Sequence, residues 1–164
     1  MKEKTILDAK VMPIHEFAEI MSNDFIISIV NEYGPVNQSI VLMEELNELL
    51  TETVKAMQLE DNKAQLAEEI SHCMISFCTY GYAYNLNWDV NKLPKVPVFS
   101  STDFILILAD VQKEISKKMR GKNNDDALCE KMGICFGELQ KCMSFYNISW
   151  EMIREEVNKK VSRY

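Results

Sequence analysis

The sequence predicts an all-α protein in which two similar helical units pack into one pseudo-dimeric helix bundle. Apolar residues recur every three to four positions over almost the whole chain, which is the spacing of amphipathic α-helices. Glycine and proline are scarce, with five and four among 164 residues, which disfavours a turn-rich β fold. The pattern of one helix pair also recurs later in the chain.

The predicted helices are placed in order by their apolar stripes and their end signals. The first runs from Phe17 to Tyr33 and ends at Gly34-Pro35, because proline cannot continue a helix. Four helices follow as two pairs, with these stripes in chain order: Leu42, Leu46, Leu49, Thr53 and Met57; Leu66, Ile70, Cys73, Met74, Phe77, Gly81 and Tyr84; Leu108, Val111, Ile115 and Met119; Leu128, Met132, Cys135, Phe136, Leu139 and Tyr146. The last helix starts after Ser149, a capping residue type, and runs to the end of the sequence.

The two helix pairs match each other at an offset of 62 residues without a gap. The matched pairs are Leu46 and Leu108, Glu52 and Glu114, Lys55 and Lys117, Met57 and Met119, Asn62 and Asn124, Leu66 and Leu128, Glu68 and Glu130, Cys73 and Cys135, and the motifs Tyr84-Asn85-x-x-Trp88 and Tyr146-Asn147-x-x-Trp150. Self-similarity at a fixed period indicates a repeated structural unit. The sequence therefore predicts a tandem duplication.

Domain boundaries follow from this repeat. Residues 1–92 form a first unit, residues 93–101 a linker, and residues 102–164 a second unit that packs with the first as one globular body. The segment Leu93-Pro94-Lys95-Val96-Pro97 is the core of the linker, since two prolines block helix continuation.

Charge and cysteine usage narrow the function classes. A net charge of −7 disfavours a broad nucleic-acid surface, which needs basic patches, although a metal ion would still allow local nucleotide binding. The five cysteines form no C-x-x-C pair, and Cys73, Cys135 and Cys142 fall in apolar helical runs, which predicts buried thiols in a reducing cytoplasm. No signal peptide is expected, and the Phe104–Leu108 run is too short to cross a membrane.

One cluster of metal-ligand types carries the main functional signal. Glu44, Glu45 and Glu48 stand at positions i, i+1 and i+4 of one predicted helix, and Glu69 and His72 at i and i+3 of the next. Mg²⁺ takes oxygen ligands and commonly bridges carboxylates to phosphates, whereas imidazole suits softer metals. The cluster therefore indicates phosphate chemistry with Mg²⁺ or Mn²⁺ as cofactor.

The second unit lacks this cluster. The equivalent positions there hold Leu106, Ile107, Asp110, Lys131 and Ile134. A lysine would repel a cation where Glu69 would bind one. We therefore expect at most one metal site, in the first unit.

These residues resemble a known family. Glu-Glu-x-x-Glu followed by Glu-x-x-Asp on paired helices is the signature of MazG-like all-α nucleoside triphosphate pyrophosphohydrolases, the group that includes the all-α dUTPases. Residues 44–48 match the first motif, and Glu69-x-x-His72 matches the second with histidine at the family's aspartate position. The segments Tyr33-Gly34-Pro35-Val36-Asn37-Gln38 and Lys117-Lys118-Met119-Arg120-Gly121-Lys122 resemble phage-borne members, which suggests a phage protein acting in the host cytoplasm.

The resemblance implies a reaction and roles for the residues. Family members use Mg²⁺ to hydrolyse a nucleotide between its α and β phosphates, releasing a monophosphate and pyrophosphate. By analogy Glu45, Glu48 and Glu69, with His72 at the fourth position, would hold the metal, and Glu44 would orient or deprotonate the attacking water. Family members work as dimers of this helical unit; the tandem repeat would supply both units in one chain, and a homodimer of the chain is the other option.

The basic run at the end of the third stripe has two interpretations. Lys117, Arg120 and Lys122 would reach the phosphates of the bound nucleotide while the first unit contributes the metal. Alternatively, they form a helix C-terminus whose positive charges complement the helix dipole before Gly121.

Other interpretations of the acidic cluster stay open at this point. Glu44, Glu45 and Glu48 would also suit a solvated helix face, and His72 a histidine at the edge of the core. A catalytically dead relative that binds or sequesters a nucleotide, a signalling nucleotide or a protein partner is the main functional alternative. A protein-interaction module with no ligand site is another. Trp88 and Trp150 occupy equivalent places in the repeat, which predicts packing rather than base stacking.

Overall fold

The computed structural model describes residues 12–88 and 99–163, which contain six helices and no strand. The helices are α1 (Ile14–Met21), α2 (Asn23–Met57), α3 (Lys63–Ala83), α4 (Ser101–Met119), α5 (Asp125–Phe145) and α6 (Trp150–Val161). The all-α prediction is therefore confirmed. The segment predicted as the core of the linker, residues 93–97, lies outside the described residues.

The prediction of one uninterrupted helix from Phe17 to Tyr33 is wrong at Ser22, where φ is 81° and α1 gives way to α2. The predicted helix end at Gly34-Pro35 is confirmed as an interruption within α2, because Gly34 has the non-helical angles φ 78° and ψ 168° and a second helical stretch follows it. Glycine adopts positive φ without the steric cost that a side chain adds, and Pro35 can begin the next helical stretch because its missing N–H would have no partner there.

The predicted cap at the last helix is confirmed. The Ser149 hydroxyl accepts a hydrogen bond from the backbone N–H of Met152 at 3.2 Å, as an N-cap serine does. α6 then packs mainly on α3, and Ile153 and Val157 are the buried residues of its inner face. The tail of the chain is thereby fixed against the first helix pair.

Each long helix pair forms an antiparallel hairpin. Along α2 and α3, Glu52 contacts Asn62, Glu45 contacts Cys73 and Ser39 contacts Tyr84, so the two helices run in opposite directions. α2 packs most extensively on α3, α4 packs on α5, and α2 also contacts α4. Most residues of the apolar stripes meet in one continuous core. Met57 and Met119 were predicted in these stripes but are exposed, because each is the last residue of its helix.

Aromatic side chains tie the two pairs together inside this core. The rings of Trp88, Phe77 and Phe136 lie with centroids 5.5–6.4 Å apart, and Trp150 lies 6.4 Å from Phe17. Edge-to-face packing at such distances stabilises aromatic pairs beyond their buried area. The packing role predicted for both tryptophans is confirmed.

Several contacts within the α2–α3 hairpin are repeated within the α4–α5 hairpin, at the offset of 62 residues seen in the sequence. The Asn62 side-chain amide donates to the backbone carbonyl and side-chain carboxylate of Glu52 at 2.8 and 2.9 Å, and Asn124 donates likewise to Glu114 at 2.8 and 2.7 Å. Lys55 Nζ lies 3.3 Å from the Glu52 carboxylate, and Lys117 Nζ lies 3.3 Å from the Glu114 carboxylate. The tandem duplication stays a prediction, and these matching contacts support it.

The predicted burial of three cysteines is confirmed, whereas the reducing cytoplasm stays a prediction. Cys73, Cys135 and Cys142 are free thiols with no exposed surface. No helix in residues 12–88 or 99–163 has the length and apolar character that a membrane crossing requires.

Candidate metal centre

Four of the predicted metal ligands converge between two neighbouring helices. Glu45 and Glu48 lie on α2, and Glu69 and His72 lie on α3. One ligand atom from each residue falls within 4.8 Å of the other three. Residues three apart share a face of a helix, and the antiparallel packing of α2 on α3 turns the two faces toward each other. We call these four residues the acidic cluster.

The Cys73 thiol helps to set the register of this arrangement. Cys73 follows His72 on α3, and its sulfur donates a hydrogen bond to the backbone carbonyl of Glu45 at 3.2 Å. Both groups are buried, so α2 and α3 are held together beside the cluster. The carboxylates therefore project from closely packed helices, which suits a preorganised site.

Burial differs across the acidic cluster. Glu45 exposes 8% of its surface and His72 9%, whereas Glu48 is exposed. His72 Nδ1 lies 3.4 Å from Glu45 Oε2 and 3.8 Å from Glu69 Oε2. These two carboxylate oxygens are buried and lack a hydrogen-bond partner. Buried acceptors without a partner are costly, so the arrangement favours a cation between them.

The pKa values of two cluster carboxylates move in opposite directions. Burial, followed by the nearby carboxylates of Glu48 and Glu45, raises the pKa of Glu69 to about 8. Burial also acts to raise the pKa of Glu45, but the interactions with His72 and Lys160 together outweigh it and leave that pKa lowered. Like charges at this separation cannot all ionise cheaply. Glu69 therefore holds a proton at neutral pH unless another cation takes its place.

The donor set fits a divalent metal ion. Three carboxylates supply the oxygen ligands that Mg²⁺ and Mn²⁺ accept, and His72 adds an imidazole nitrogen, which suits Mn²⁺ better than Mg²⁺. Among the described residues no other group of His, Cys, Asp or Glu converges in this way. In the second half, Lys131 lies 3.7 Å from Asp110 instead.

Glu44 stands apart from the four convergent residues. It lies next to Glu45 on α2 but is exposed. Its predicted role in activating water stays a prediction.

The predicted phosphate-binding run comprises Lys117, Arg120 and Lys122. Lys117 lies 3.3 Å from Glu114, and Arg120 and Lys122 are exposed just beyond the end of α4. Within the described residues no ion pair joins these three side chains to the cluster. Their nucleotide-binding role stays a prediction.

A different cation, which was not predicted from the sequence, reaches the cluster. Lys160 of α6 lies with Nζ 3.2 Å from Glu45 Oε1, and its side chain is only 18% exposed. The two residues are 115 positions apart in the chain. Neither motif nor spacing signals this pair, because it depends on how α6 packs against α3.

Comparisons with family models, with curated proteins and with solved structures find no match to this chain. The MazG-like resemblance therefore rests on the two motifs alone and stays a prediction.

We expect the metal-free protein to lose stability as pH rises from about 5 to 8. The folded-state pKa of Glu69 lies above the ordinary value of 4.5, so the folded state binds more protons than the unfolded state in this window. The stabilising contribution is complete below the unfolded-state pKa and is lost as pH approaches about 8. After allowance for solvent screening, the free energy of unfolding should fall by on the order of 1 kcal/mol over this pH range.

Chemical unfolding in EDTA at pH 5, 6, 7 and 8 measures this effect. Glu69→Gln should make the free energy of unfolding nearly independent of pH in this range. Glu130→Gln, which changes an exposed glutamate on α5, should keep the pH dependence of the wild-type protein. Equal slopes for these two variants would contradict the assignment to Glu69.

Proposed function

We propose that this chain is a metal-dependent nucleotide pyrophosphohydrolase that converts a nucleoside triphosphate to a monophosphate and pyrophosphate. The observation that carries the proposal is the convergence of Glu45, Glu48, Glu69 and His72 from paired helices, with two buried carboxylate oxygens lacking a partner. The order of these residues along the two helices also follows the motifs of the MazG-like group.

The charge of the acidic cluster explains why such an enzyme would need a metal. Carboxylates alone repel phosphate, so a nucleotide cannot approach this face without a cation. A bound divalent ion neutralises phosphate charge and activates water for attack. Glu45, Glu48, Glu69 and His72 are the residues that would hold it.

Glu44 would act on the attacking water. As an exposed carboxylate beside the cluster, it can accept a proton from water while the water oxygen bonds to the α-phosphorus. The bond from that phosphorus to the bridging oxygen then breaks, and pyrophosphate leaves. The cytoplasmic location and the pairing of two chains stay predictions of the sequence.

The alternative of an inactive nucleotide-binding relative has its own support. His72 and Lys160 both lie within 3.4 Å of Glu45, so two groups of this chain already lie close to the most buried carboxylate, although only Lys160 is hydrogen-bonded to it. Such contacts compete with a metal ion and would weaken a catalytic site. A protein that sequesters a nucleotide tolerates weaker catalysis.

Pyrophosphate release decides between these functions. We expect the purified protein to release pyrophosphate from at least one member of a panel of NTPs and dNTPs with Mg²⁺ or Mn²⁺. Glu48→Gln should lower the rate more than about a hundredfold, because it removes a charged metal ligand without disturbing the core. Glu32→Gln, on an exposed part of α2, is the matched control. Absence of turnover with every nucleotide and both metals would refute the enzymatic function.

A further inference from the structure

A cavity of about 260 Å³ lies between α2, α3 and α6, beside the acidic cluster. Its volume is below the roughly 300–1,000 Å³ of pockets that enclose drug-sized ligands, so it suits one ring system rather than a whole nucleotide. Its polar and aromatic lining includes Tyr33, Asn37, Gln38, Ser76, Thr79 and Lys160. We call it the α2–α3–α6 cavity.

The cavity and the acidic cluster are consecutive on the same two helices. On α3, Ser76 follows His72 by one helical turn, which is about 6 Å along the axis. On α2, Gln38 precedes Glu45 by two turns. Lys160 connects the cavity to the acidic cluster, because it lines the cavity while its ammonium group lies 3.2 Å from Glu45 Oε1.

The lining matches a flat heterocycle with polar edges. Gln38, Ser76 and Thr79 are each 3% exposed, so their amide and hydroxyl groups are buried at the cavity wall. The Gln38 amide and the Ser76 hydroxyl can both donate and accept hydrogen bonds, as the edge of a nucleobase requires. The Thr79 hydroxyl donates to the backbone carbonyl of Ser76 at 3.2 Å and can accept a hydrogen bond from a ligand. The Tyr33 ring at the rim is 46% exposed and offers a stacking surface.

The second hairpin fills the equivalent helix positions with charge. Glu138 and Lys141 occupy on α5 the places that Ser76 and Thr79 occupy on α3, at the same offset of 62 residues. They form a buried ion pair of 2.7 Å, and each is 5% exposed. The uncharged polar wall therefore occurs in the half that carries the acidic cluster.

Resting on the proposed function, we propose that the α2–α3–α6 cavity binds the heterocyclic base of the nucleotide. Lys160 is then a phosphate-binding residue with two successive partners. Before the ligand binds, its ammonium group pairs with Glu45. Once Glu45 serves as a metal ligand, Lys160 loses that partner and its flexible side chain turns to a phosphate oxygen of the nucleotide.

Titration calorimetry with Mn²⁺ alone tests the first partner. Lys160→Met removes a cation that competes for Glu45, so Mn²⁺ should bind about fivefold more tightly than to wild type. Lys159→Met is the matched control, since Lys159 is the neighbouring lysine, is 63% exposed and pairs with Glu156 instead. Equal Mn²⁺ affinities for the two variants would overturn the role given to Lys160.

The affinities of two further probes, measured with Mn²⁺ present, test whether Lys160 binds phosphate and whether the cavity binds the base. They are inorganic triphosphate and a set of non-hydrolysable α,β-imido nucleoside triphosphates carrying each base. Lys160→Met should weaken both probes about tenfold or more, through loss of a charge-assisted hydrogen bond. Asn37→Ala should weaken the nucleotide analogue severalfold and leave inorganic triphosphate unchanged.

Ser76→Met fills the cavity and should reduce analogue binding further, again sparing inorganic triphosphate. Asn31→Ala, an exposed α2 residue outside the cavity, is the control. Because Asn37 is exposed, its variant decides the matter even if Ser76→Met fails to fold.

The outcomes separate this inference from the proposed function. Analogue binding that depends on Asn37 and Lys160, without turnover of any nucleotide, would support the cavity and refute the enzyme. Turnover with analogue binding unchanged by Asn37→Ala would overturn the cavity and keep the enzyme. A wild-type protein that binds no Mn²⁺ would overturn both.

Discussion

Glu45→Gln is expected to weaken Mn²⁺ binding more than about a hundredfold, because even residues that only support metal ligands contribute roughly 10–100-fold. Glu45 is the most buried carboxylate of the acidic cluster, and its Oε2 lies 3.4 Å from His72 Nδ1. The glutamine keeps the shape of the side chain but loses its charge. It also leaves Lys160 without its anionic partner, and this adds a repulsive cation beside the site.

Calorimetry and Mn²⁺-dependent thermal stabilisation measure this loss. Glu32→Gln makes the same chemical change on an exposed part of α2 and should bind Mn²⁺ as wild type does. Circular dichroism establishes that both variants are folded. If Glu45→Gln bound Mn²⁺ within threefold of wild type, the cluster would be an ordinary polar contact between helices.

His72→Asp is expected to raise Mg²⁺-dependent turnover about tenfold or more and to shift the metal preference from Mn²⁺ toward Mg²⁺. Carboxylate oxygen is the ligand type that Mg²⁺ prefers, whereas imidazole favours softer metals. The substitution also removes the ring that faces Glu45 and Glu69, so both carboxylates are left more available to the metal.

The chain offers a matched control for this substitution. His15 is the other histidine of the chain and is exposed on α1, so His15→Asp should change neither rate nor metal preference. The measurement is the turnover rate of the wild-type protein and both variants at saturating nucleotide, with Mg²⁺ and with Mn²⁺. Rapid Mg²⁺-dependent turnover by the wild-type protein would exclude the inactive nucleotide-binding alternative. A slower His72→Asp variant would show that the imidazole serves the site as it stands.

Much of the architecture could be predicted because helical periodicity is a local property. Leu46, Ile70 and Phe136 are buried with most residues of their stripes, since a 3.6-residue repeat places them on one face whatever the rest of the chain does. Helix ends were less predictable. Gly34-Pro35 interrupts α2 as predicted, but helical structure resumes directly after it, and the break between α1 and α2 at Ser22 was not predicted.

The cluster itself was predictable for the same reason. Glu45 and Glu48 share a face through their spacing, as do Glu69 and His72, and a short hairpin loop requires α2 and α3 to pack side by side. Their convergence within 4.8 Å follows from these local constraints together with burial of the apolar stripes.

The sequence by itself thus determined the helices, their buried faces and the four residues that converge, because each depends on spacings of a few residues. The tertiary structure alone decided that Lys160 is the cation at Glu45 and that Glu44 is exposed. It also decided the α2–α3–α6 cavity. These features depend on how α6 and α4 dock on the first hairpin. That docking is the sum of many weak side-chain contacts between residues far apart in the chain, and no short motif encodes it.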